Sequence, residues 1–248
     1  TLTLAGPITV YGTNIYVSES ISSTGVGDIT LSASALFDST NTTRKTISNN
    51  SGDIYIIADS DNAGLLKLDY LTFDAGSDDL FIRGSTMSWN TSVATAPYIN
   101  GTGDIVFEST DSNFGQSVNT AWFQWNADGN TIGSLRVGKT TNNQDVYLGS
   151  TLVVGGPINI YGDDIIINSS QTLTAGTNSD IILSAASNFI NNSGSSALNV
   201  SGTGRWIVYA ADNDNSTFGS LNSANTPIWS STYSSLAPAS VSSGNRYV

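Results

Sequence analysis

The sequence predicts an all-β fold, a parallel β-helix or β-solenoid with coils of about 25 residues. Asp28, Asp53, Asp79 and Asp104 follow one another at intervals of 25, 26 and 25 residues. Each aspartate opens a short apolar run, such as GDITLSA or GDIVFES. At about 3.3 Å per residue, one interval holds two or three short strands and their turns, which is one coil.

Composition favours strands over helices along the whole chain. Val, Ile, Thr and Tyr fill the apolar runs, 24 glycines separate them, and no segment keeps a 3.6-residue period over three turns. Hydrophobic residues make up 39% of the 248 residues, which is enough to bury a core. We therefore expect a folded chain despite its bias toward Ser, Thr, Asn and Gly.

Each coil is expected to begin at a Ser/Gly turn that the repeated aspartate closes. The following strand points alternate apolar side chains inward, so stacked coils bury one continuous apolar column. The aspartates could form a line of ligands, or their carboxylates could accept backbone N–H groups at the corners. We favour the second interpretation, because corners of this kind are what a coil needs.

A longer repeat is superimposed on the coils. Residues 1–17 align without gaps on residues 151–167, with eight identities. This similarity indicates a duplication. The sequence therefore predicts two unequal solenoid copies, residues 1–150 and a shorter copy at 151–248 that continues the first, because solenoids tolerate changes in coil number.

The charge of the chain is sparse and acidic, with 20 acidic and 8 basic residues and a net charge of −12. Such a surface repels phosphate backbones and anionic lipid headgroups, so we expect no nucleic acid partner. No apolar stretch approaches the roughly 20 residues of a membrane span, so we expect no membrane insertion. The absence of cysteine excludes disulfides and thiolate sites.

The C-terminal part contains aromatic runs that differ from the coil pattern: GRWIVY at residues 204–209 and GNRYV at residues 244–248. Together with the GDI-type coils and the Asn/Ser/Thr-rich turns, these runs resemble large secreted bacterial adhesins of the filamentous-haemagglutinin type. The resemblance spans the whole chain. It implies a long right-handed β-helical shaft, export to the bacterial cell surface and a role in attachment or scaffolding, and it transfers no catalytic residue.

Residues 133–140, GSLRVGKT, match the phosphate-loop pattern GxxxxGK[ST] in every required position. That loop needs a helix directly after it, because the N-terminal amides of the helix hold the phosphate. The residues that follow, TTNNQDVYLGS, instead predict a turn and another strand. We therefore expect no nucleotide site.

Two Ala-Asp-x-Asp-Asn turns are candidates for binding Ca²⁺. They place carboxylates at alternate positions, Asp59 and Asp61 in one turn and Asp212 and Asp214 in the other. Neither turn has the glycine and distal glutamate of an EF-hand loop, so a solvated turn is the competing interpretation. The chain lacks both His and Cys, which disfavours Zn²⁺, and no other cofactor is indicated.

The residue types argue against an enzyme. Without histidine there is no Ser-His arrangement, and only carboxylates remain as acids and bases. Adjacent aspartates such as Asp78/Asp79 and Asp163/Asp164 point to opposite faces of a strand, so neither pair makes a two-carboxylate site.

Residues 121–125, AWFQW, form the best candidate for glycan recognition. If this segment is a strand, Trp122 shares one face with Gln124, while Phe123 and Trp125 share the other. A flat exposed tryptophan suits a sugar ring, so Trp122 is the candidate glycan-binding residue. The alternative is that the tryptophans close the shaft or pack under a loop: Trp89, Trp122, Trp206 and Trp229.

Taken together, these features predict a non-catalytic, extracellular structural or adhesive β-solenoid segment of a large secreted bacterial surface protein, acting as a stiff shaft for attachment. The ends of a solenoid expose backbone groups that must be capped or joined. Expected partners are therefore another copy end to end or neighbouring domains of the same polypeptide, and surface glycans. Thr1 and Val248 both interrupt a motif, which favours joining.

Two alternatives stay open at this stage. The first is a self-assembling head-to-tail subunit of an extracellular filament, because a heterologous contact between solenoid ends propagates into a fibre. The second is a β-helical carbohydrate-binding or carbohydrate-active protein.

Overall fold

The computed structural model describes residues 1–39, 42–58, 64–88, 92, 94–212 and 214–248. It is all-β with parallel sheets, and its stacked coils of about 25 residues form a β-solenoid of about eight turns. The predicted fold class is therefore confirmed. Short 3₁₀ helices occur at Thr120–Trp122 and Pro238–Ser240. No helix in the described ranges has the length and apolarity needed to cross a membrane.

The strands are short, as expected for the sides of a coil. In chain order they are β1 (Leu2–Leu4), β2 (Ile8–Tyr16), β3 (Ile21–Val26), β4 (Ile29–Asp38), β5 (Lys45–Ser51), β6 (Ile54–Ala58), β7 (Leu65–Lys67), β8 (Leu71–Asp74), β9 (Leu80–Gly84), β10 (Thr86–Met87), β11 (Tyr98–Asn100), β12 (Ile105–Glu108), β13 (Val118–Asn119), β14 (Gln124–Trp125), β15 (Leu135–Val137), β16 (Val146–Leu148), β17 (Leu152–Val153), β18 (Ile158–Gly162), β19 (Ile165–Ile167), β20 (Leu173–Thr177), β21 (Ile181–Ala185), β22 (Phe189–Asn191), β23 (Leu198–Ser201), β24 (Trp206–Ala210) and β25 (Arg246–Tyr247).

The chain divides into two compact units. Unit 1 comprises Thr1–Gln116 and Trp122–Gly133, and unit 2 comprises Ser117–Ala121 and Ser134–Val248. The repeat in the sequence starts its second copy at residue 151, which lies inside unit 2.

Unit 1 contains two parallel sheets. One has the order β1-β3-β5-β8-β11-β14; the other has β10-β7-β4-β6-β9-β12, with β2 also paired to β4. The inward residue of each successive coil pairs with its equivalent in the next coil, and these residues are at most 3% exposed: Ile8, Ile29, Ile54, Leu80 and Ile105. This continuous apolar column is the core that the strand alternation predicts.

Unit 2 has three sheets, with the orders β15-β18-β21-β24-β25, β13-β16-β19-β22 and β17-β20-β23. Its main column stacks Leu135, Ile158, Ile181 and Trp206 in register, and all four are buried. Trp206 therefore packs in the core at the last full coil, as expected for a tryptophan that closes the shaft.

The last part of unit 2, residues 221–248, does not form another full coil. Side chains from this C-terminal segment pack on the outward face of β21 and β24, against Ile182, Ile207 and Tyr209. Its final strand, β25, adds to the edge of β24 and pairs Arg246 with Ile207 and Tyr247 with Val208. The segment thus covers both a face and part of an edge of the sheet.

Candidate functional sites

The repeated aspartates of unit 1 form a ladder of hydrogen bonds at the coil corners. The Asp53 N–H donates to Asp28 Oδ1 at 3.0 Å, the Asp79 N–H donates to Asp53 Oδ1 at 3.0 Å, and the Asp104 N–H donates to Asp79 Oδ1 at 2.9 Å. The carboxylates of Asp28, Asp53 and Asp79 therefore each bind the backbone of the next coil. The prediction of turn chemistry at these positions is confirmed.

At two of the corners, the glycine before the aspartate is required by the local geometry. Gly27 and Gly52 have φ angles of +122° and +119°, a region that side chains with a Cβ rarely adopt. A Cβ on Gly52 would also lie 2.6 Å from the carbonyl oxygen of Gly27 in the previous coil. At these two corners, glycine therefore permits the close approach and aspartate bonds the coils together, whereas Asp78 stands before Asp79 at the third.

Within the ladder, the pKa values of Asp79 and of the neighbouring Tyr55 are raised. Burial raises the pKa of Asp79, and the nearby carboxylates of Asp104, Asp53 and Asp78 raise it further, against the lowering effect of the hydrogen bond from Asp104. The Tyr55 hydroxyl donates to Asp53 Oδ2 at 2.8 Å, and burial together with this bond raises the pKa of Tyr55 to about 12. The repulsion between the stacked carboxylates therefore opposes the ionisation of Asp79.

Asp78 and Asp79, considered above as a catalytic pair, serve two different coils. Asp78 Oδ2 accepts the Gly52 N–H at 3.0 Å, from the preceding coil. Asp79 instead accepts from Asp104, in the following coil. Both carboxylates are thus hydrogen-bond acceptors for the backbone.

Unit 2 contains a second ladder that sequence reasoning missed. The Asp164 N–H donates to Asp145 Oδ1 at 3.3 Å, and the Asn188 N–H and side-chain amide donate to Asp164 Oδ1 at 2.9 and 2.8 Å. The neighbouring Asp163 accepts the Ser187 hydroxyl at 2.7 Å. The runs QDVYL and DDIII carry the signal that could have found this ladder, because each places an aspartate before alternating apolar residues.

Asp145, Asp163 and Asp164 also bring carboxylate oxygens within 4.8 Å of one another, with all three side chains half-buried. The expectation that Asp163 and Asp164 point to opposite faces of a strand is therefore wrong, because both lie in the bend between β18 and β19. Three carboxylates at that separation are chemically suited to a hard divalent cation. The hydrogen bonds above give the same residues a structural role, since they join successive coils.

The candidate calcium residues divide into two groups. Asp59 and Asp61 lie outside the described residues. Asp212 is the acceptor at a tight turn: its carboxylate takes the Asp214 N–H at 3.0 Å, the Asn215 N–H at 3.2 Å and the Asn215 side-chain amide at 2.6 Å. These bonds, the one from the Asn215 side chain foremost, lower the pKa of Asp212.

The Asp214 side chain is exposed. The calcium site stays a prediction, and it requires the melting temperature to fall in EDTA; an unchanged melting temperature contradicts it.

The aromatic run at 121–125 is not a single strand, so that prediction was wrong. Trp122 ends a 3₁₀ helix and is half-buried, and only Gln124–Trp125 is a strand. Phe123 is buried and contacts the rings of Phe107 and Trp125 at centroid distances of 5.3 and 5.1 Å. Phe123 and Trp125 therefore do pack together, and the glycan role of Trp122 stays a prediction.

The phosphate-loop match at residues 133–140 has the structure expected from its context. Leu135–Val137 forms β15, Gly138 turns with a φ of +78°, and the next element is the strand β16. Within residues 134–150, all of which are described, no helix follows Lys139 to hold a phosphate.

Unit 2 contains a cleft of about 370 Å³ with a mainly apolar lining. Phe218, Ile228, Trp229 and Tyr247 contribute to its walls, next to the hydroxyl-bearing residues 230–232. The Trp229 side chain is 64% exposed, although tryptophan normally buries most of its surface. The expectation that the tryptophans close the shaft therefore does not hold for Trp229, and Trp89 lies outside the described residues.

The cleft has two further features. Its described lining residues carry no charged side chain. Ser230, directly after Trp229, has a φ of +58°, which is uncommon for a residue other than glycine and marks local strain.

A scan against protein-family models, a search of curated proteins and a search of solved structures each found no match. The β-solenoid agrees with the fold that the adhesin resemblance implies, but no family match supports the resemblance itself.

Proposed function

We propose that the chain is a non-catalytic structural segment of an extracellular bacterial surface protein, in which the β-solenoid serves as a stiff shaft for attachment. The corner ladder supports this role most directly. It commits the repeated carboxylates Asp28, Asp53 and Asp79 to joining one coil to the next.

Three interactions connect neighbouring coils within a unit: the parallel backbone pairing, the buried apolar column and the carboxylate at the corner. In unit 1 they act between the same two strands; β4 and β6 pair from Ile29 to Ala33, Leu31 packs inside, and Asp28 binds the Asp53 N–H. Repetition of such nearest-neighbour contacts is what makes a solenoid resist bending and local opening.

The extracellular and bacterial assignment rests on the sequence. The resemblance of residues 204–209 and 244–248 to large secreted adhesins favours it, and the net charge of −12 and the absence of cysteine are compatible with it. The same charge disfavours nucleic acid and anionic membranes as partners.

Electron microscopy of the purified chain over a concentration series tests this role. Short isolated particles that do not lengthen with concentration are expected for a shaft segment. Regular fibres would instead identify a filament subunit, and release of reducing or unsaturated sugar ends from a polysaccharide panel would identify an enzyme.

The filament alternative receives less support from unit 2. An elongating head-to-tail contact needs a free strand edge, and part of the outer edge of β24 is already paired with β25.

Carbohydrate binding is a second candidate function, favoured by the exposure of Trp229. A sugar ring could stack on the indole, while the hydroxyls of residues 230–232 offer hydrogen bonds to a neutral ligand. Trp229→Ala is expected to abolish binding to a glycan array with the β-sheet circular dichroism unchanged. Trp122→Ala is the matched variant: loss with Trp122→Ala alone would move the site to Trp122, and retention by both would exclude this function.

A further inference from the structure

The sequence contains one Asn-Gly dipeptide, Asn100-Gly101, at the end of β11 in unit 1. Asparagine before glycine is prone to spontaneous deamidation, because glycine has no Cβ to obstruct attack by its own backbone nitrogen. In this reaction the Gly101 nitrogen loses its proton and bonds to Asn100 Cγ, and the Cγ–Nδ2 bond breaks to release ammonia, which takes up a proton. Water then opens the succinimide to aspartate or isoaspartate.

The attacking nitrogen of Gly101 is engaged by a carboxylate from the next coil. Its N–H donates to Asp128 Oδ2 at 3.1 Å. Asp128 is oriented by Asn130, whose backbone N–H and side-chain amide donate to the two carboxylate oxygens at 3.0 and 2.8 Å. This hydrogen bond from Gly101 must break before the nitrogen can attack.

The charge of Asp128 adds to this protection. Burial acts to raise the pKa of Asp128, but the hydrogen bonds from Asn130 and Gly101 lower it overall, so the carboxylate is ionised at neutral pH. A negative charge beside the Gly101 amide disfavours the loss of its proton, because a second negative charge would then form next to the first. The step that starts deamidation is therefore opposed by electrostatics as well as by the hydrogen bond.

The side chain of Asn100 lies in an environment that also opposes the reaction. Its Oδ1 atom is buried, and within the described part of the chain no hydrogen-bond donor reaches it. Attack on Cγ places negative charge on this oxygen, which hydrogen-bond donors would have to stabilise. The folded coil thus lacks the stabilisation that the intermediate needs.

An equivalent contact occurs at an earlier corner of unit 1, where no Asn-Gly pair is present. Asp78 Oδ2 accepts the Gly52 N–H at 3.0 Å, and Ser51 precedes this glycine. Removal of the Asp78 carboxylate therefore perturbs a similar corner without releasing a glycine that follows asparagine.

We propose that Asn100-Gly101 is a site of spontaneous backbone modification and that Asp128 protects it in the folded coil. Deamidation then requires a local opening that separates Gly101 from Asp128. An isoaspartyl link would lengthen the backbone where even a Cβ on Gly101 would lie 2.6 Å from the Gly76 carbonyl oxygen. An aspartate would place a second carboxylate at the position that pairs with Asp74. Both products weaken coil stacking, so the protection prolongs the life of the fold independently of the proposed shaft role.

Peptide mapping by mass spectrometry measures this reaction in the full chain during incubation at mildly alkaline pH. The folded parent should deamidate at Asn100 far more slowly than the same chain unfolded in urea. Asp128→Ala should accelerate deamidation of the folded chain by about tenfold, the effect expected from the loss of one charge-assisted hydrogen bond. Asp128→Ser, which also removes the charge but keeps a polar side chain at this exposed turn, should accelerate it too and provides a second test if Asp128→Ala does not fold.

Asp78→Ala is the matched control, because it removes the equivalent contact to Gly52. It should leave the rate at Asn100 unchanged, which separates loss of the protecting contact from general loosening of a corner. Equal rates in the parent and in the folded Asp128 variants would overturn the proposal, as would an acceleration by Asp78→Ala of the same size. A folded parent that deamidates as fast as the unfolded chain would also refute it.

Discussion

At three corners of unit 1, a carboxylate oxygen of Asp28, Asp53 or Asp79 accepts the backbone N–H of the next coil. One such hydrogen bond contributes little to the free energy of unfolding, but the bond is repeated at the same place in successive coils. Turn chemistry at Asp28, Asp53 and Asp79 could be predicted, because Ser or Gly residues precede each aspartate as in a turn and the interval favours a coil. The partner of each oxygen was less evident, since it is a backbone group about 25 residues away.

The first prediction concerns the strength of one corner. Asp53→Ala removes the acceptor for the Asp79 N–H and for the Tyr55 hydroxyl, so the free energy of unfolding should fall by about 1–2 kcal/mol. Asp53→Asn keeps an oxygen acceptor and should lose less. Urea denaturation measures both; equal losses for the two variants would contradict the hydrogen-bond explanation.

The second prediction concerns pH. The pKa of Asp79 is raised in the folded state, so the folded chain holds this proton more tightly than the unfolded chain. The stabilising contribution of protonated Asp79 is present at low pH and is lost as the pH rises through the folded-state pKa. Its ionisation therefore destabilises unit 1 at neutral pH.

Asp79→Asn removes this titration but keeps an oxygen that can accept the Asp104 N–H. The variant should be at least as stable as the parent at pH 7, and the parent should gain stability relative to the variant as the pH falls from 7 to about 4. Denaturation curves at a series of pH values measure the difference, and parallel pH profiles would argue against the raised pKa.

At the scale of elements, the coils were predictable and the C-terminal segment was not. The run GDITLSA alternates because β4 has one inward and one outward face, whereas SDIILSA and RWIVYA are apolar on both faces. Ile182 and Ile207 are buried on the outward side, beneath the C-terminal segment. Continuous apolar runs indicate burial on both faces, but they do not identify the covering segment. Residues 221–248 lack the coil pattern, so their position depends on long-range contacts.

Arg205 makes several of these long-range contacts with one side chain. Its guanidinium donates to the carbonyl oxygens of Val241, Ser242 and Pro238 at 2.7–2.8 Å and lies 3.5 Å from Asp180 Oδ2. The side chain is 16% exposed. The planar guanidinium of arginine holds several N–H donors in a fixed arrangement and can bind several carbonyl oxygens at once. The single ammonium group of lysine is therefore a poor replacement.

The third prediction follows from this arrangement. Arg205→Lys should speed hydrogen exchange in residues 236–248 and expose this stretch to limited proteolysis, while exchange within unit 1 stays unchanged. Arg83→Lys, which alters the 2.9 Å ion pair with Glu108 in unit 1, is the matched control and should leave residues 236–248 protected. Unchanged exchange in Arg205→Lys would mean that the apolar packing and the pairing of β25 hold the segment without this guanidinium.

At the scale of the molecule, the features described above stabilise the stacking of coils. The two aspartate ladders, the apolar columns and the C-terminal segment all join or cover coils. The sequence contained the coil period and the repeat, and both were sufficient to predict the β-solenoid. It did not reveal which edges are covered, because coverage depends on contacts between distant segments. That difference matters because the free and covered edges decide how such a protein associates.

The last prediction therefore concerns β25. Deleting residues 245–248 removes the strand on the edge of β24 and the Asn245 side chain, whose Oδ1 accepts the Trp206 N–H at 2.9 Å. The edge at Ile207 and Val208 then becomes available for pairing with another chain. The truncated protein should form larger species as its concentration rises in sedimentation velocity, whereas the full chain should keep one sedimentation coefficient.

Tyr247→Ser provides the matched control, because it keeps the backbone of β25 while removing the ring that contacts Trp206. If edge pairing drives association, the truncated chain should associate much more strongly than Tyr247→Ser. Equal association by both variants would instead implicate the exposed apolar surface around Trp206 and Phe218. The strand β25 would then act as a hydrophobic cover, and its backbone pairing would be secondary.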